Sequence, residues 1–167
     1  MGCRNQSGNP MVNSVLSEHH RKLIEKSVLC WVATVSKEGQ PNVSPKEVFE
    51  LYKNDRLLFA VIASPKTLKN IKQRPKVGVS CLNIWTQKGV QMNGEAEIID
   101  SNHRDFVELE KLLNKKNKGV FKFRNIISIK ITAAKTLLAP SYQFLKTTEK
   151  NQIINSEQTY GKHKPSP

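Results

Sequence analysis

The stretch KVGVSCLNIWTQKGVQMNGEAEII, residues 76–99, contains two apolar runs of strand character joined by a short polar segment. The runs cover about 76–85 and 90–99, and the turn residues 87–89 separate them. A connection this short leaves no room for a crossover helix, so the two strands must be antiparallel. The stretch therefore predicts a hairpin and argues against a doubly wound parallel sheet.

The same kind of pattern continues on both sides of this hairpin. Further strands are predicted at 28–35, 42–52, 56–62 and 126–137, and helices at 17–26, 65–73, 103–114 and within 147–161. Six strands joined mostly by hairpins predict a mainly β fold with peripheral helices. A closed or nearly closed antiparallel barrel fits best, because closure removes the exposed strand edges that invite aggregation.

The length of 167 residues suits one hydrophobic core. The polar segments 1–13 and 162–167 are expected to form a disordered leader and tail around one domain at 14–161. No run approaches the roughly 18 apolar residues of a membrane-spanning helix, and an apolar secretory signal is missing from the N-terminal stretch. The sequence therefore predicts a cytoplasmic protein without a membrane span.

The chain carries 27 basic and 14 acidic residues, a net charge of +13, which favours anionic ligands. Nucleic acid is the disfavoured ligand, because aromatic residues do not interleave with the lysine clusters as base-stacking platforms would. The three cysteines are widely spaced, so a structural metal site is not expected. Cys30 and Cys81 lie in apolar runs and are interpreted as small core residues.

The segment SPKTLKN, residues 64–70, is placed between a predicted strand and a predicted helix. A helix N-terminus stabilises an anion through its free backbone N–H groups and its dipole. Ser64 and Thr67 add hydroxyl donors, Lys66 adds a charge, and Asn70 follows Lys66 by one turn. The segment alone is equally consistent with a surface helix capped by Ser64 and flanked by solvated lysines.

The segment NVSPKEV, residues 42–48, favours the ligand-binding interpretation. Pro45 cannot donate to a sheet ladder, so it indicates a strand edge or a bulge where backbone groups remain free. A planar molecule carrying a phosphate fits along such an edge, with its anionic end at residues 64–67.

Three segments resemble the pyridoxamine 5′-phosphate oxidase-like FMN-binding split-barrel proteins. These are ATVSKEGQPNVSPKEV at 33–48, SPKTLKNIKQRPKVGVS at 64–80 and GVQMNGEAEI at 89–98. The closing SYQFLKTTEKNQIINSEQTYG, residues 141–161, is similar to the C-terminal segment of one bacterial subgroup of that family.

This resemblance implies a six-stranded split β-barrel that forms a homodimer, with one FMN per subunit at the dimer interface. It implies that Lys66 and Thr67 hold the FMN phosphate, assisted by Ser64 and Asn70. The remaining cofactor contacts that it implies are Val43, Ser44, Pro45, Lys46, Ile62, Ala63 and Gln91.

The sequence departs from the oxidase itself in two places. The chain has SPKEVF where the oxidase carries an RxVLLK motif, and its end, KHKPSP, lacks the arginine-containing RLxP motif. In the oxidase both motifs bind the vitamin substrate, so pyridoxamine phosphate oxidation is not implied. The expected function is that of an FMN-dependent oxidoreductase with a small-molecule redox substrate. The alternative is a carrier that binds flavin, haem or deazaflavin without turnover, and no residue stands out as a proton donor.

Overall fold

The computed structural model describes residues 14–161. The leader predicted at 1–13 and the tail predicted at 162–167 lie outside the described residues. The strands are β1 (Cys30–Val35), β2 (Pro41–Lys46), β3 (Phe49–Tyr52), β4 (Arg56–Ala60), β5 (Lys76–Asn83), β6 (Lys88–Asp100) and β7 (Asn125–Leu138). The helices are α1 (Glu18–Glu25), α2 (Pro65–Gln73), α3 (Phe106–Asn117), α4 (Pro140–Phe144) and α5 (Glu149–Tyr160).

The strands of this part of the chain form one antiparallel sheet in the order β2-β1-β5-β6-β7-β4-β3. Strands β2 and β3 lie at opposite edges of the sheet, yet only Glu47 and Val48 connect them. The two edges must therefore lie side by side, which requires the sheet to curl into a barrel that is open between them. The predicted mainly β, antiparallel split barrel with peripheral helices is confirmed.

The predicted number of six strands is wrong, because the run predicted as one strand at 42–52 forms two. Strand β2 pairs with β1 as far as Lys46, and β3 pairs with β4 from Phe49 onwards. Between them the carbonyl of Val48 accepts a hydrogen bond from the Ala60 N–H at 3.0 Å. One predicted strand thus contributes to both edges of the sheet, and the two residues at the break, Glu47 and Val48, are not turn residues.

The hairpin at 76–99 is confirmed as β5 and β6, paired from Lys76–Glu95 to Asn83–Lys88. Near the turn of this hairpin, Gly89 allows the two backbones to approach closely. A Cβ at this position would collide with the carbonyl oxygen of Cys81. The ladder of β6 and β7 shifts its register between Asn93 and Gly94. Such a bulge bends the strands and increases the curl of the sheet.

Two apolar clusters form the core of residues 14–161. The larger cluster fills the barrel and includes Val32, Phe59, Val79, Met92 and Ile129. The smaller cluster lies under α3, where Phe106, Leu109 and Leu113 pack on Leu58 and Ile126. The inside of the sheet therefore carries most of the buried apolar surface, and α3 covers one outer end of it.

Cys30 and Cys81 are both fully buried, as the sequence predicts, but they are also joined by a disulfide. They lie opposite each other in the β1–β5 ladder, with their Cα atoms 4.4 Å apart. The pairing is invisible in the sequence, because 51 positions separate the two residues.

The predicted helices are present, although the first and last residues of most of them differ from the prediction. The Ser17 hydroxyl caps α1 by accepting from the His20 N–H, and α2 covers the predicted 65–73. Helix α3 begins at Phe106, three residues after its predicted start, and α5 confirms the terminal helix. Within residues 14–161, no helix has the length and apolar character of a membrane-spanning segment.

Candidate functional site

Helix α2 presents its N-terminus next to the edge strand β2. Pro65 occupies the first position, and the Ser64 side chain makes no capping hydrogen bond to the helix. The Leu68 N–H donates to the Ser64 carbonyl at 3.2 Å, so the N–H groups of Lys66 and Thr67 remain without an intrahelical acceptor. With the positive end of the helix dipole and the exposed Lys66 side chain, these groups favour an anion.

Five polar side chains link α2 to strands β1 and β2. The Thr67 hydroxyl lies 3.0 Å from the Ser44 hydroxyl and accepts from the Asn42 amide at 3.3 Å. The Asn70 amide donates to the Thr34 hydroxyl at 3.0 Å, and Asn42 donates to the same oxygen at 3.3 Å. Thr34, Thr67 and Asn70 are each 1% exposed. We refer to these five residues as the α2 anchor, because they fix the helix N-terminus relative to the sheet.

The α2 anchor changes the position expected for Asn70. A residue one helical turn after Lys66 is expected on the same side of the helix as Lys66, within reach of the same ligand. In the structure Lys66 is exposed and Asn70 is buried against β1. The helix turns this way because Thr67, Asn70 and Ile71 form its buried face.

Lys46 has an unusual environment for a lysine. Only 6% of its surface is exposed, and its Nζ donates to the Ser64 hydroxyl oxygen at 2.5 Å. Burial lowers the pKa of Lys46 from its ordinary value, since the charged form loses hydration. None of the ion pairs formed within residues 14–161 includes this lysine.

A cavity of about 190 Å³ opens beside Lys46, and we call it the edge cavity. It brings together five of the predicted cofactor-binding residues, namely Pro45, Lys46, Ile62, Ala63 and Ser64. Its other lining residues are Glu47, Val48 and Ala60, which the sequence analysis did not single out. Apart from Lys46, Ser64 and the exposed Glu47, the lining side chains are apolar.

The predicted residues on β2 divide between the two faces of the strand. Ser44 contacts Thr67, and Lys46 contacts Ser64, so both point towards α2. Val43 points to the opposite face, where it is 61% exposed. There it lines a second cavity, of about 420 Å³, together with the predicted Gln91.

This second cavity lies on the outer face of the sheet, and we call it the outer cavity. Its lining residues carry no formal charge, and they are Trp31, Ala33, Val43, Gly78, Val79, Ser80, Gln91, Met92 and Leu137. The structure therefore does not unite all eleven predicted residues. Five line the edge cavity, Ser44, Thr67 and Asn70 belong to the α2 anchor, Val43 and Gln91 line the outer cavity, and Lys66 projects from the helix N-terminus.

Sequence reasoning missed Asn42 and Thr34. Asn42 shares a face of β2 with Ser44 and Lys46, as the two-residue period of a strand would have indicated. Thr34 carries the single hydroxyl of the apolar run 28–35, and a buried hydroxyl needs a hydrogen-bond partner.

Comparison with known proteins identifies the family of this fold. Residues 16–137 match the family model described as pyridoxamine 5′-phosphate oxidase. A curated relative, an uncharacterised protein of Methanocaldococcus jannaschii, is 29% identical over 119 residues, which cover 70% of this chain and 77% of that protein.

Solved structures share the fold at low sequence identity. HupZ of Group A Streptococcus is 22% identical with a TM-score of 0.63, covering 74% of this chain and 95% of HupZ. An FMN-binding protein of Syntrophomonas wolfei is 21% identical with a TM-score of 0.62, covering 73% and 86%. An F420 reductase is 22% identical with a TM-score of 0.57, covering 72% and 98%. Because the family model matches most of the described barrel, this chain belongs to the pyridoxamine 5′-phosphate oxidase family.

Proposed function

We propose that this protein binds FMN along strand β2, with the phosphate at the N-terminus of α2 and the ring system at the edge cavity. The observation that carries the proposal is the buried Lys46 ammonium beside an uncapped helix N-terminus. Both features favour negative charge, and they lie close together, because the Lys46 Nζ donates to Ser64, the residue that precedes the helix. Membership of a family with FMN-binding structural neighbours supports the choice of ligand.

The phosphate contacts that we assign differ from those implied by the sequence alone. Lys66 and the N–H groups of Lys66 and Thr67 are available to a phosphate. The Thr67 hydroxyl and the Asn70 amide already have protein partners in the α2 anchor. We therefore propose that these two side chains position the helix, and that Lys66 supplies the charge that binds phosphate.

The chemistry of the edge cavity favours flavin over haem. Haem iron needs an axial His, Cys, Met or Tyr ligand, and none of these residue types lines this cavity. A deazaflavin remains compatible with the cavity, and the fold shared with an F420 reductase favours it as the second candidate. Both ligands are planar and carry a phosphate, so a direct comparison of their affinities distinguishes them.

We propose further that a second copy of the chain covers the outer cavity. The sheet face there is uncharged, although a quarter of the chain's residues are charged. Trp31 and Val43 are exposed apolar residues on this face, with 36% and 61% of their surfaces accessible. Exposed apolar patches of this kind are typical of protein interfaces. A homodimer formed here places Val43 and Gln91 at the interface, next to the strand that we assign to the cofactor.

The proposed activity is that of an FMN-dependent oxidoreductase acting on a small molecule. Bound FMN would supply the electron-transfer chemistry, while this chain binds the phosphate, orients the ring system and sets the charge around it. The edge cavity, of about 190 Å³, has room for only part of a ligand, and most of its lining side chains are apolar.

Titration of the purified protein with FMN, followed by flavin fluorescence, tests the binding. We expect quenching that saturates at one FMN per subunit. Fluorescence that stays unchanged contradicts the proposal, and preferential binding of a deazaflavin in the same assay supports the second candidate.

Anaerobic addition of NADH or NADPH to the FMN complex then tests for turnover. Bleaching of the flavin absorbance, reversed by an electron acceptor, is the expected result. Tight FMN binding with no reduction by either nucleotide supports the non-catalytic carrier instead.

A further inference from the structure

Lys46 lines the edge cavity, and its ammonium lies beside Ser64. The residue is 94% buried, since only 6% of its surface is accessible. Lysines are almost never buried to this extent without a partner of opposite charge. It is the last residue of β2, opposite Cys30 on β1.

The charge of this ammonium is not compensated by the described part of the chain. Its one hydrogen-bond partner there is the neutral hydroxyl of Ser64, at 2.5 Å. Glu47 lines the same cavity but is exposed, and it forms no ion pair with Lys46. Burial of a cation with one hydroxyl partner is costly, and a nearby anion removes much of that cost.

The cavity itself restricts what kind of anion fits. A phosphate is strongly hydrated and needs several donors, whereas the edge cavity offers the Lys46 Nζ and the Ser64 hydroxyl between apolar walls. Pro45, Val48 and Ile62 supply part of these walls. A largely apolar, planar group with a delocalised negative charge suits them better.

We propose that Lys46 selectively binds the reduced, anionic form of the flavin ring system and thereby raises the reduction potential of the bound cofactor. This inference rests on the proposed function. Uptake of two electrons and one proton by neutral oxidised flavin leaves the ring system with one negative charge. The Lys46 ammonium attracts that charge only in the reduced state, so it increases the affinity for reduced FMN relative to oxidised FMN.

The experiment compares the reduction potential of FMN bound to the wild-type protein and to Lys46→Met, measured by dithionite titration against a reference dye. A charge-assisted hydrogen bond changes an affinity by about tenfold or more. We therefore expect the affinity ratio of reduced to oxidised FMN to fall at least about tenfold in Lys46→Met. A tenfold fall lowers the potential of a two-electron couple by about 30 mV. Lys46→Gln, which keeps a polar group but no charge, is expected to shift the potential in the same direction.

Lys66→Met is the matched control. Lys66 is exposed and is assigned to the phosphate, whose charge does not change when the ring system is reduced. Its removal is expected to weaken both redox states equally and to leave the potential unchanged.

Three results overturn the inference. One is an unchanged potential in both Lys46 variants, and another is an equal shift in Lys66→Met, which would indicate a general effect of net charge. A wild-type protein that binds no FMN contradicts the proposed function and this inference together. Normal FMN binding with an unshifted potential contradicts this inference alone.

Discussion

The Thr67 hydroxyl at the start of α2 lies 3.0 Å from the Ser44 hydroxyl on β2. This contact joins the helix N-terminus to the edge strand along which we place the cofactor. Thr67 is almost completely buried, so its hydroxyl forms hydrogen bonds with protein groups rather than with water. The position of the proposed phosphate site relative to the proposed ring site therefore depends on the buried α2 anchor.

The α2 anchor makes Thr34 important for stability. In Thr34→Val the buried Asn70 amide loses its acceptor, and the Asn42 amide keeps only its hydrogen bond to Thr67. We expect the free energy of unfolding to fall by about 1–3 kcal/mol, the usual cost of a buried polar group without a partner. Urea denaturation of the protein without cofactor measures it.

The control for this variant is Thr132→Val, at an exposed position of β7. Its effect should stay within about 0.5 kcal/mol. Equal stabilities of Thr34→Val and wild type would show that the anchor contributes nothing to the fold.

Lys46→Met should stabilise the protein in the absence of cofactor. The substitution replaces a buried ammonium, which has one neutral partner, by an apolar side chain of similar length. We expect the free energy of unfolding to rise by about 1 kcal/mol. Chemical denaturation checks the sign of this change in the free energy of unfolding, and Lys66→Met, at an exposed residue, is the reference. A marked loss of stability in Lys46→Met would contradict the account of Lys46.

If the outer cavity forms the dimer interface, a charged residue introduced there should change the oligomeric state. Ala33→Glu places a carboxylate on the uncharged outer face, at an exposed position of β1. We expect wild type to sediment as a dimer, with twice the 18.9 kDa of the chain, and Ala33→Glu to sediment as a monomer. Val107→Glu, at a 57% exposed position of α3, should remain dimeric. A monomeric wild-type protein would contradict the proposed interface.

The environment of His20 predicts that the folded protein loses stability in mild acid. Its Nδ1 accepts from the Ser17 N–H at 3.4 Å, and its Nε2 lies 3.1 Å from the Thr136 hydroxyl. Burial and, to a smaller extent, the neighbouring His19 lower the pKa of His20 from 6.5. The unfolded chain therefore binds a proton more readily than the folded one. The contribution of His20 is fully present above the unfolded value and is lost as the pH falls through the folded value.

Denaturation midpoints measured between roughly pH 5 and pH 8 check this dependence. His20→Gln, whose amide oxygen can still accept from Ser17, should have a smaller slope than wild type. His103→Gln, at an exposed residue, should keep the slope of wild type. Identical slopes in wild type and His20→Gln would exclude His20 as the titrating group.

Local patterns in the sequence predict most of the barrel, because each hairpin has its own turn signal. The exception is the break at Glu47 and Val48, where the run predicted as one strand stops pairing with β1 and starts pairing with β4. That break results from the curl of the whole sheet, which no short segment encodes. The disulfide between Cys30 and Cys81 was missed for the same reason, since it depends on the pairing of β1 with β5.

The sequence located the candidate site better than it assigned individual roles. The SPKT segment does form a helix N-terminus beside β2, as its Ser, Pro and Lys residues predict. The direction of each side chain depends on packing, so Asn70 turns into the sheet while Lys66 stays in solvent. Lys46 was predicted as a cofactor contact, but its burial appears only when the two edges of the sheet meet.

The affinities of FMN and riboflavin, which differ only in the phosphate, test the central claim most directly. Wild type should bind FMN at least about tenfold more tightly than riboflavin. Lys66→Ala should reduce that ratio several-fold without changing the affinity for riboflavin, and Lys72→Ala, later in the same helix, should leave both affinities unchanged. Equal affinities of wild type for FMN and riboflavin would contradict a phosphate site at the start of α2.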